Sequence, residues 1–424
     1  MQGETEVEIG HLGNAGDGVA RLQAGGLLHV AHTLPGEIAR VRIDSDGPRG
    51  ARGQMVELLR ASPDRVPAPC PHFADYCGGC ALQHLQDTAY AAWKRALVVS
   101  SLQRAGYATP DVGPLVRTPA KARRRMDLAV RRKEGGVVFG LHRAQTTDII
   151  DMSACEVLHP ALFTLIAPLR KTLSSLAALR NIGSVIVNLL ASGPDLLIRT
   201  DGPLTPPDRA KLAAFSATHA VPRIAWALGT GAFEIAAQAH APHEVFAGHR
   251  VETPPGAFLQ ASAEGEAAIV AAVLAGMPAK RTGKSRAIEL FAGCGTLSFP
   301  LAAHLRVLAY EGDAAAAAAV RRAQARSRVE MTQRDLSRQP LSAKELSGAA
   351  LILLDPPYGG AAPQMAAIAA SGVKQVIYVS CNPGALMKDA AVLADAGYAL
   401  VAATPIDQFL WSAQVECVAV FSRR

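Results

Sequence analysis

One cysteine of this 424-residue chain stands where a thiol can work as a nucleophile. In VIYVSCNPGAL, Cys381 closes an apolar, strand-like run and is followed at once by Asn382-Pro383. A strand-end thiol beside a cationic ligand can be held as the thiolate, which is the reactive form. Three further cysteines, Cys70, Cys77 and Cys80, follow a C-x6-C-x2-C spacing in CPHFADYCGGC, and Cys155 lies apart in DMSACEVLHP. Four such thiols suit a four-cysteine zinc site or an iron–sulfur cluster, and His72 and His84 could join a zinc site. Cys294 and Cys417 sit in segments that read as packing, and seven cysteines in a chain read as cytosolic do not suggest a disulfide framework.

Two other segments carry chemistry. IELFAGCGTLSFPLA (288–302) reads as a strand, a glycine turn and a helix, a form in which the backbone can approach a ligand closely. It has neither the Gly-Lys-Ser/Thr of a phosphate loop nor the third glycine of a dinucleotide fingerprint. Glu311 follows about 20 residues later, at the end of the next strand-like run, where a carboxylate can take the hydroxyls of a ribose. LILLDPPYGG (351–360) is a second strand ending in an acid, Asp355.

The formal net charge of +7 is concentrated. Residues 117–143 hold nine basic side chains against Asp127 and Glu134, an excess as large as that of the whole chain. A basic stripe of this kind suits a polyanion such as RNA, with Arg123, Arg124, Arg125, Arg131 and Arg132 as the candidate contacts. Strand alternation puts Arg124 and Arg132 on one face and Arg125 and Arg131 on the other, so one pair is expected to face RNA. The bland alternative is a solvated strand edge guarded by charge.

These residues need elements to hold them. Residues 1–61 show short β-like runs broken by glycine, which predicts a small β-barrel. A proline-stiffened linker, PDRVPAPCPHF, leads to a helix over 87–106 that could pack on the last domain, and β-like runs with an apolar helix near 160–180 predict a mixed α+β central domain over 62–250. From 251 to 424, AIELF, RVLAYE, ALILLD, QVIYVS, YALVAATPI and VECVAVF alternate with helical stretches. That pattern predicts an open, largely parallel α/β sheet with helices on both faces and ligands at the carboxyl ends of the strands. No run approaches the roughly 20 apolar residues of a membrane span, and the chain starts with MQGETEVEIG, so it reads as cytoplasmic, with no membrane contact.

CPHFADYCGGC with Cys155, FLQASAEGE (258–266), IELFAGCGTLS, LLDPPY, VSCNPGAL and the terminal QVECVAVF together resemble the S-adenosylmethionine-dependent RNA uracil-5-methyltransferases, nearly end to end. The N-terminal β unit is similar to the TRAM domain of the 23S ribosomal RNA branch. The resemblance implies a Rossmann-like class I methyltransferase domain, S-adenosyl-L-methionine as cofactor, and RNA, 23S rRNA first, as the partner of a monomer. It implies Cys381 as nucleophile and Glu416 as base, with Gln260, Phe291, Gly293, Gly295, Glu311, Asp335 and Asp355 around the cofactor. It also implies a [4Fe–4S] cluster on Cys70, Cys77, Cys80 and Cys155. Two positions depart from the family pattern: Tyr358 where Arg or Lys usually follows DPP, and Gln414 where a histidine usually precedes the terminal glutamate by two. The acid-Pro-Pro-Tyr tetrad keeps open an RNA exocyclic-amine methyltransferase, and the two departures keep open an RNA-binding ribosome-assembly factor that has lost catalysis.

Overall fold

In the computed structural model, the described residues are 4–423 apart from 24, 46–49, 281 and 283; the first three residues of the expected barrel therefore lie outside them. Strands Glu4–Leu12, Gly18–Arg21, Leu27–Val30, Ile38–Ser45 and Ala51–Arg60 close into a barrel. Alternation builds its core: Val7 and Ile9 point inward with Leu28, Val30 and Val41, while Glu6 and Glu8 of the same strand take the other face. His32, at a left-handed φ of 61°, ties the barrel to the cysteine loop by lying between Phe73 and Tyr76, 4.0 and 4.4 Å from their ring centroids. Burial pulls its imidazole down to about 4, so the ring stays neutral in the stack. Nearby, Arg65 grips both oxygens of the buried Glu37 at 2.5 and 2.8 Å.

The central unit is a seven-stranded sheet in the order Phe233–Gln238, Arg223–Leu228, Gly193–Thr200, Ile182–Leu190, Arg125–Lys133, Gly136–His142 and Ile149–Asp151. All its pairings are antiparallel except that between Gly193–Thr200 and Arg223–Leu228. The apolar stretch near 160–180 forms two helices, Pro160–Phe163 and Ile166–Ser175.

The last unit is an eight-stranded sheet ordered Val329–Gln333, Arg306–Glu311, Arg286–Leu290, Leu351–Leu354, Gln375–Ser380, Glu416–Ser422, Ala399–Asp407 and Val116–Arg117. Its first five strands are parallel. Alternate residues feed two cores, as the pleat requires: Ile377 and Val379 pack with the Ala263–Ala275 helix on one face, Val376 and Tyr378 with the Pro383–Asp395 helix on the other. The Asp87–Arg104 helix joins the second face through Val98 and Leu102, so a segment that precedes the central sheet in sequence is built into the last one. Val329–Gln333 is not among the six strands expected from apolar runs. It is an edge strand with only Val329 and Met331 buried, and its sequence carries little apolar signal.

The Glu416–Ser422 strand runs antiparallel to both neighbours. In a sheet whose other strands are parallel, this reversal brings the beginning of that strand to the edge where the others end. Glu416 thereby shares an edge with residues that follow strands, Asp355 and Cys381.

Candidate active site

Cys381 follows the Gln375–Ser380 strand and immediately precedes the Pro383–Asp395 helix, whose cap is Asn382. The Asn382 side chain accepts from the Gly384 N–H at 2.9 Å and donates to the Tyr358 carbonyl at 2.8 Å, while Pro383 supplies a first-turn φ. This cap turns the chain sharply and leaves the half-buried Cys381 facing a groove of about 1130 Å³. Burial raises the Cys381 thiol to about 12, and the carboxylates of Glu416 and Asp355 push it the same way. Without a positive charge in the site, the sulfur keeps its proton.

Glu416 is 3% exposed. Its Oε2 accepts from the Gln408 amide at 2.5 Å, and its Oε1 has no partner among the described residues. Gln408 also donates to Gln260 Oε1 at 2.8 Å, and Gln260 in turn donates to Asp355 Oδ2 at 3.0 Å. A chain of two carboxamides thus joins the two acids. Burial raises Asp355 to about 7, and burial together with the charge of Asp355 raises Glu416 to about 8.

The glycine loop lies on the other side of Asp355. Gly293 and Gly295 have φ of 54° and 89°, and a Cβ at 293 would meet no atom within 4 Å, so the loop opens a cradle there. Phe291 is held at φ 63°, a left-handed conformation costly for a large side chain. Glu311 accepts from the Gly293 N–H and the Asp313 N–H, each at 2.7 Å, so the acid after the second strand braces the loop after the first. Asp335 is exposed, accepts from the Ser337 N–H at 3.0 Å, and lies beside Gly312, so Phe291, Gly293, Gly295, Glu311, Asp335 and Asp355 border one end of the sheet. An open loop ringed by acids fits a cationic nucleoside cofactor.

The basic stripe divides. Arg124 is buried, pairs with Glu266 at 2.5 Å and Glu244 at 3.5 Å, and donates to the Gln260 carbonyl. Arg132 gives its guanidinium to the carbonyls of Ser174, Leu176 and Leu179. These two cannot serve as RNA contacts, because their donors already close the ends of other elements. The Arg131 side chain donates to the Thr147 carbonyl and does not line the groove, whereas Arg123 and Arg125 line it, Arg125 over the Phe258 ring. Arg104 and Arg143, outside the five candidates, line it as well. Tyr358 is 59% exposed on the same wall.

Cys70, Cys77, Cys80 and Cys155 line one small cavity and are all free thiols. Among the described residues, no group of three or more His, Cys, Asp and Glu side chains is arranged to hold a single metal ion. His72 has both ring nitrogens engaged, by Asp75 and Ser153, and His84 lies tilted against Phe73, 5.2 Å between ring centroids, and does not line the cavity. Cys294 and Cys417 are buried in the cores.

Gln408 and Lys94 were not among the sequence candidates. Lys94 is fully buried and binds the Asp407 carboxylate, the Phe409 carbonyl at 3.0 Å and the Gln414 carbonyl at 2.6 Å, clamping the loop that carries Gln408. A lysine in the helical run DTAYAAWKRALVV gives no local sign of this.

Residues 1–56 match the family model of the TRAM domain. An uncharacterized RNA methyltransferase of Brucella suis biovar 1 is 40% identical over 99% of this chain and 98% of its own length. The 23S rRNA (uracil(1939)-C(5))-methyltransferase of Chromohalobacter salexigens is 33% identical over 98% of this chain and 89% of its own. Among solved structures, the Pyrococcus abyssi tRNA (uracil-54, C5)-methyltransferase in complex with S-adenosyl-L-homocysteine matches with a TM-score of 0.73, covering 98% of this chain and all of that one at 19% identity. No helix among the described residues is long and apolar enough to cross a membrane.

Proposed function

We propose that this chain, which belongs to the RNA uracil-C5-methyltransferase family, methylates carbon 5 of a uridine in 23S ribosomal RNA through a covalent cysteine adduct. The observation that carries the reading is the meeting of Cys381, Glu416 and Asp355 at one sheet edge, with Cys381 opening on a groove lined by Arg104, Arg123, Arg125 and Arg143. When bound, S-adenosylmethionine supplies an electrophilic methyl group and a positive sulfonium charge among these acids.

Carbon 5 of uracil is a weak nucleophile. Addition of the Cys381 thiolate at carbon 6 makes an enolate and moves electron density to carbon 5. Once carbon 5 carries the methyl group, Glu416 Oε1 removes its proton, the electron pair restores the 5,6 double bond, and the carbon–sulfur bond breaks to return the thiolate. The groove arginines hold phosphates while the base is extruded, and the exposed Tyr358 ring offers a neighbouring base a surface to stack on. Gln260, Gly293, Gly295, Glu311, Asp335 and Asp355, with Phe291 shaping the loop, would hold the cofactor.

The test uses ribosomal RNA and transfer RNA from cells lacking this protein, with 5-methyluridine mapped after incubation with each variant. Cys381→Ala is expected to transfer no methyl group, and Glu416→Gln to accumulate a denaturation-resistant protein–RNA adduct. Turnover by Cys381→Ala would overturn the covalent reading in favour of exocyclic-amine methylation, which needs no thiol. Product in transfer RNA alone would reassign the substrate.

Cys70, Cys77, Cys80 and Cys155 would hold a [4Fe–4S] cluster, a reading supported by four thiols around one cavity with both nitrogens of His72 occupied elsewhere. The cluster would supply a structural staple to the loop that grips His32. Anaerobically purified protein should then be brown with about four irons per chain; stoichiometric zinc would contradict this.

A further inference from the structure

The Gln408 carboxamide has all its principal bonds assigned by its surroundings. The backbone N–H of Ala261 can only donate, and it points at Gln408 Oε1 from 2.9 Å. This orients the amide: its nitrogen must face the other way, where it donates to Glu416 Oε2 at 2.5 Å and to Gln260 Oε1 at 2.8 Å. A flipped amide would set N–H against N–H at Ala261 and oxygen against the Glu416 carboxylate. The Gln260 amide is oriented in turn, because its oxygen accepts from Gln408 and its nitrogen is left to donate to Asp355.

The space for this arrangement is built into the fold. Gly265, in the Ala263–Ala275 helix, passes so close that a Cβ there would stand 2.6 Å from Gln408 Cβ. Lys94 holds Asp407 and Phe409 on either side, and the Thr118 hydroxyl donates to the Asp407 carbonyl at 2.6 Å. Gln408 is therefore fixed by both neighbours, by the backbone of a distant segment and by a helix that has no side chain at the contact.

We infer that Gln408 is a positioning residue for the proton-removal step: by donating to Glu416 Oε2 it reserves the unpartnered Oε1 as the atom that takes the proton from carbon 5. The inference rests on the reading of Glu416 as base given above. A carboxylate that receives a donor on one oxygen is stabilised as the anion, and its second oxygen keeps its lone pairs free. Burial and the charge of Asp355, from the end of its strand, otherwise oppose that anion, while the thiols of Cys381 and Cys417, held protonated beside it, bring no positive charge. Arg124, which donates to the Gln260 carbonyl, is already committed to Glu244 and Glu266, and Lys94 to Asp407. Gln408 is thus the donor on which the base depends for its ionised form.

Decay of the protein–RNA adduct, followed across pH for wild type, Gln408→Met and Gln408→Glu on ribosomal RNA from cells lacking this protein, tests the inference. Gln408→Met removes the donor at similar volume. It should slow decay on the order of tenfold near neutrality and move the midpoint of the pH profile upward, since the base then ionises less readily. Gln408→Glu keeps an acceptor for Ala261 but adds a charge beside Glu416, so its midpoint should move further in the same direction. Should Gln408→Met fail to fold, Gln408→Glu carries the comparison with wild type. An unmoved or lowered midpoint, with adducts forming normally, overturns the role of Gln408 alone. Absence of any adduct, including in Glu416→Gln, instead removes the reading on which it rests.

Discussion

Asp407 and Glu416 are buried carboxylates at the two ends of one loop, and their surroundings are opposite. Asp407, with no exposed surface, receives the Lys94 ammonium on one oxygen, and the Arg117 guanidinium stands 3.6 Å from the other. Glu416, in register with Ile406 next door, receives only an amide and faces the charge of Asp355. A carboxylate neutralised in this way is part of the scaffold. One buried beside a like charge, with no cation paired to it, holds its proton toward neutral pH and can exchange it, which is what a base needs. The comparison teaches that the fold places its stabilising and its reactive acid within one hairpin and separates their roles by the partners supplied from elsewhere.

The comparison breaks first at Lys94. Lys94→Met strands Asp407 without its ammonium and releases the Phe409 and Gln414 carbonyls, so a loss of about 3–5 kcal/mol is expected in urea unfolding. An unchanged unfolding midpoint would show that the pair is not scaffold. Glu416→Gln should act in the opposite direction. The folded chain holds the Glu416 proton up to about pH 8, whereas the unfolded side chain releases it near 4.5. Over that window this side chain binds a proton in the folded state and not in the unfolded one, so Glu416 contributes a loss of stability as pH rises, and the glutamine variant escapes it. Its advantage should grow between pH 4.5 and 8, on the order of a kcal/mol for each pKa unit relieved, in thermal unfolding at fixed ionic strength. A stability difference between variant and wild type that shrinks as pH rises through that window would contradict the sign. The smallest effect sharpens the same distinction between scaffold and function at two adjacent arginines. Arg125→Gln should leave stability within about 0.5 kcal/mol and flatten the slope of log RNA affinity against log salt by roughly 0.7, whereas Arg124→Gln should lower stability and leave that slope alone.

Arg124 and Arg125 also mark where reading the chain reaches its limit. Strand alternation correctly separates Arg124 and Arg132 from Arg125 and Arg131, because that parity is a property of two or three neighbouring residues. Which parity is buried depends on Glu244, Glu266 and the helix ends at 174–179, all remote in sequence. The glycine loop and its strand are legible for the same local reason: LFAGCG needs left-handed glycines whatever surrounds it. The four cysteines are legible as a set of donors but not as a site, since Cys155 reaches the other three only through the turn after the Ile149–Asp151 strand.

What the sequence determined by itself was whatever a few consecutive residues decide. That includes the strand, thiol and Asn-Pro cap around Cys381, the alternation that closes the barrel, and the strand–helix rhythm of residues 251–424. What only the tertiary structure decided was the company each of these keeps. Glu416 meets Cys381 because its strand runs against the others, Gln408 is oriented by an N–H 147 residues away, and Lys94 reaches across 313 residues to Asp407. The protonation state and reactivity of a buried group follow from neighbours within a few ångströms, and no local pattern in the chain records which distant residues those neighbours will be.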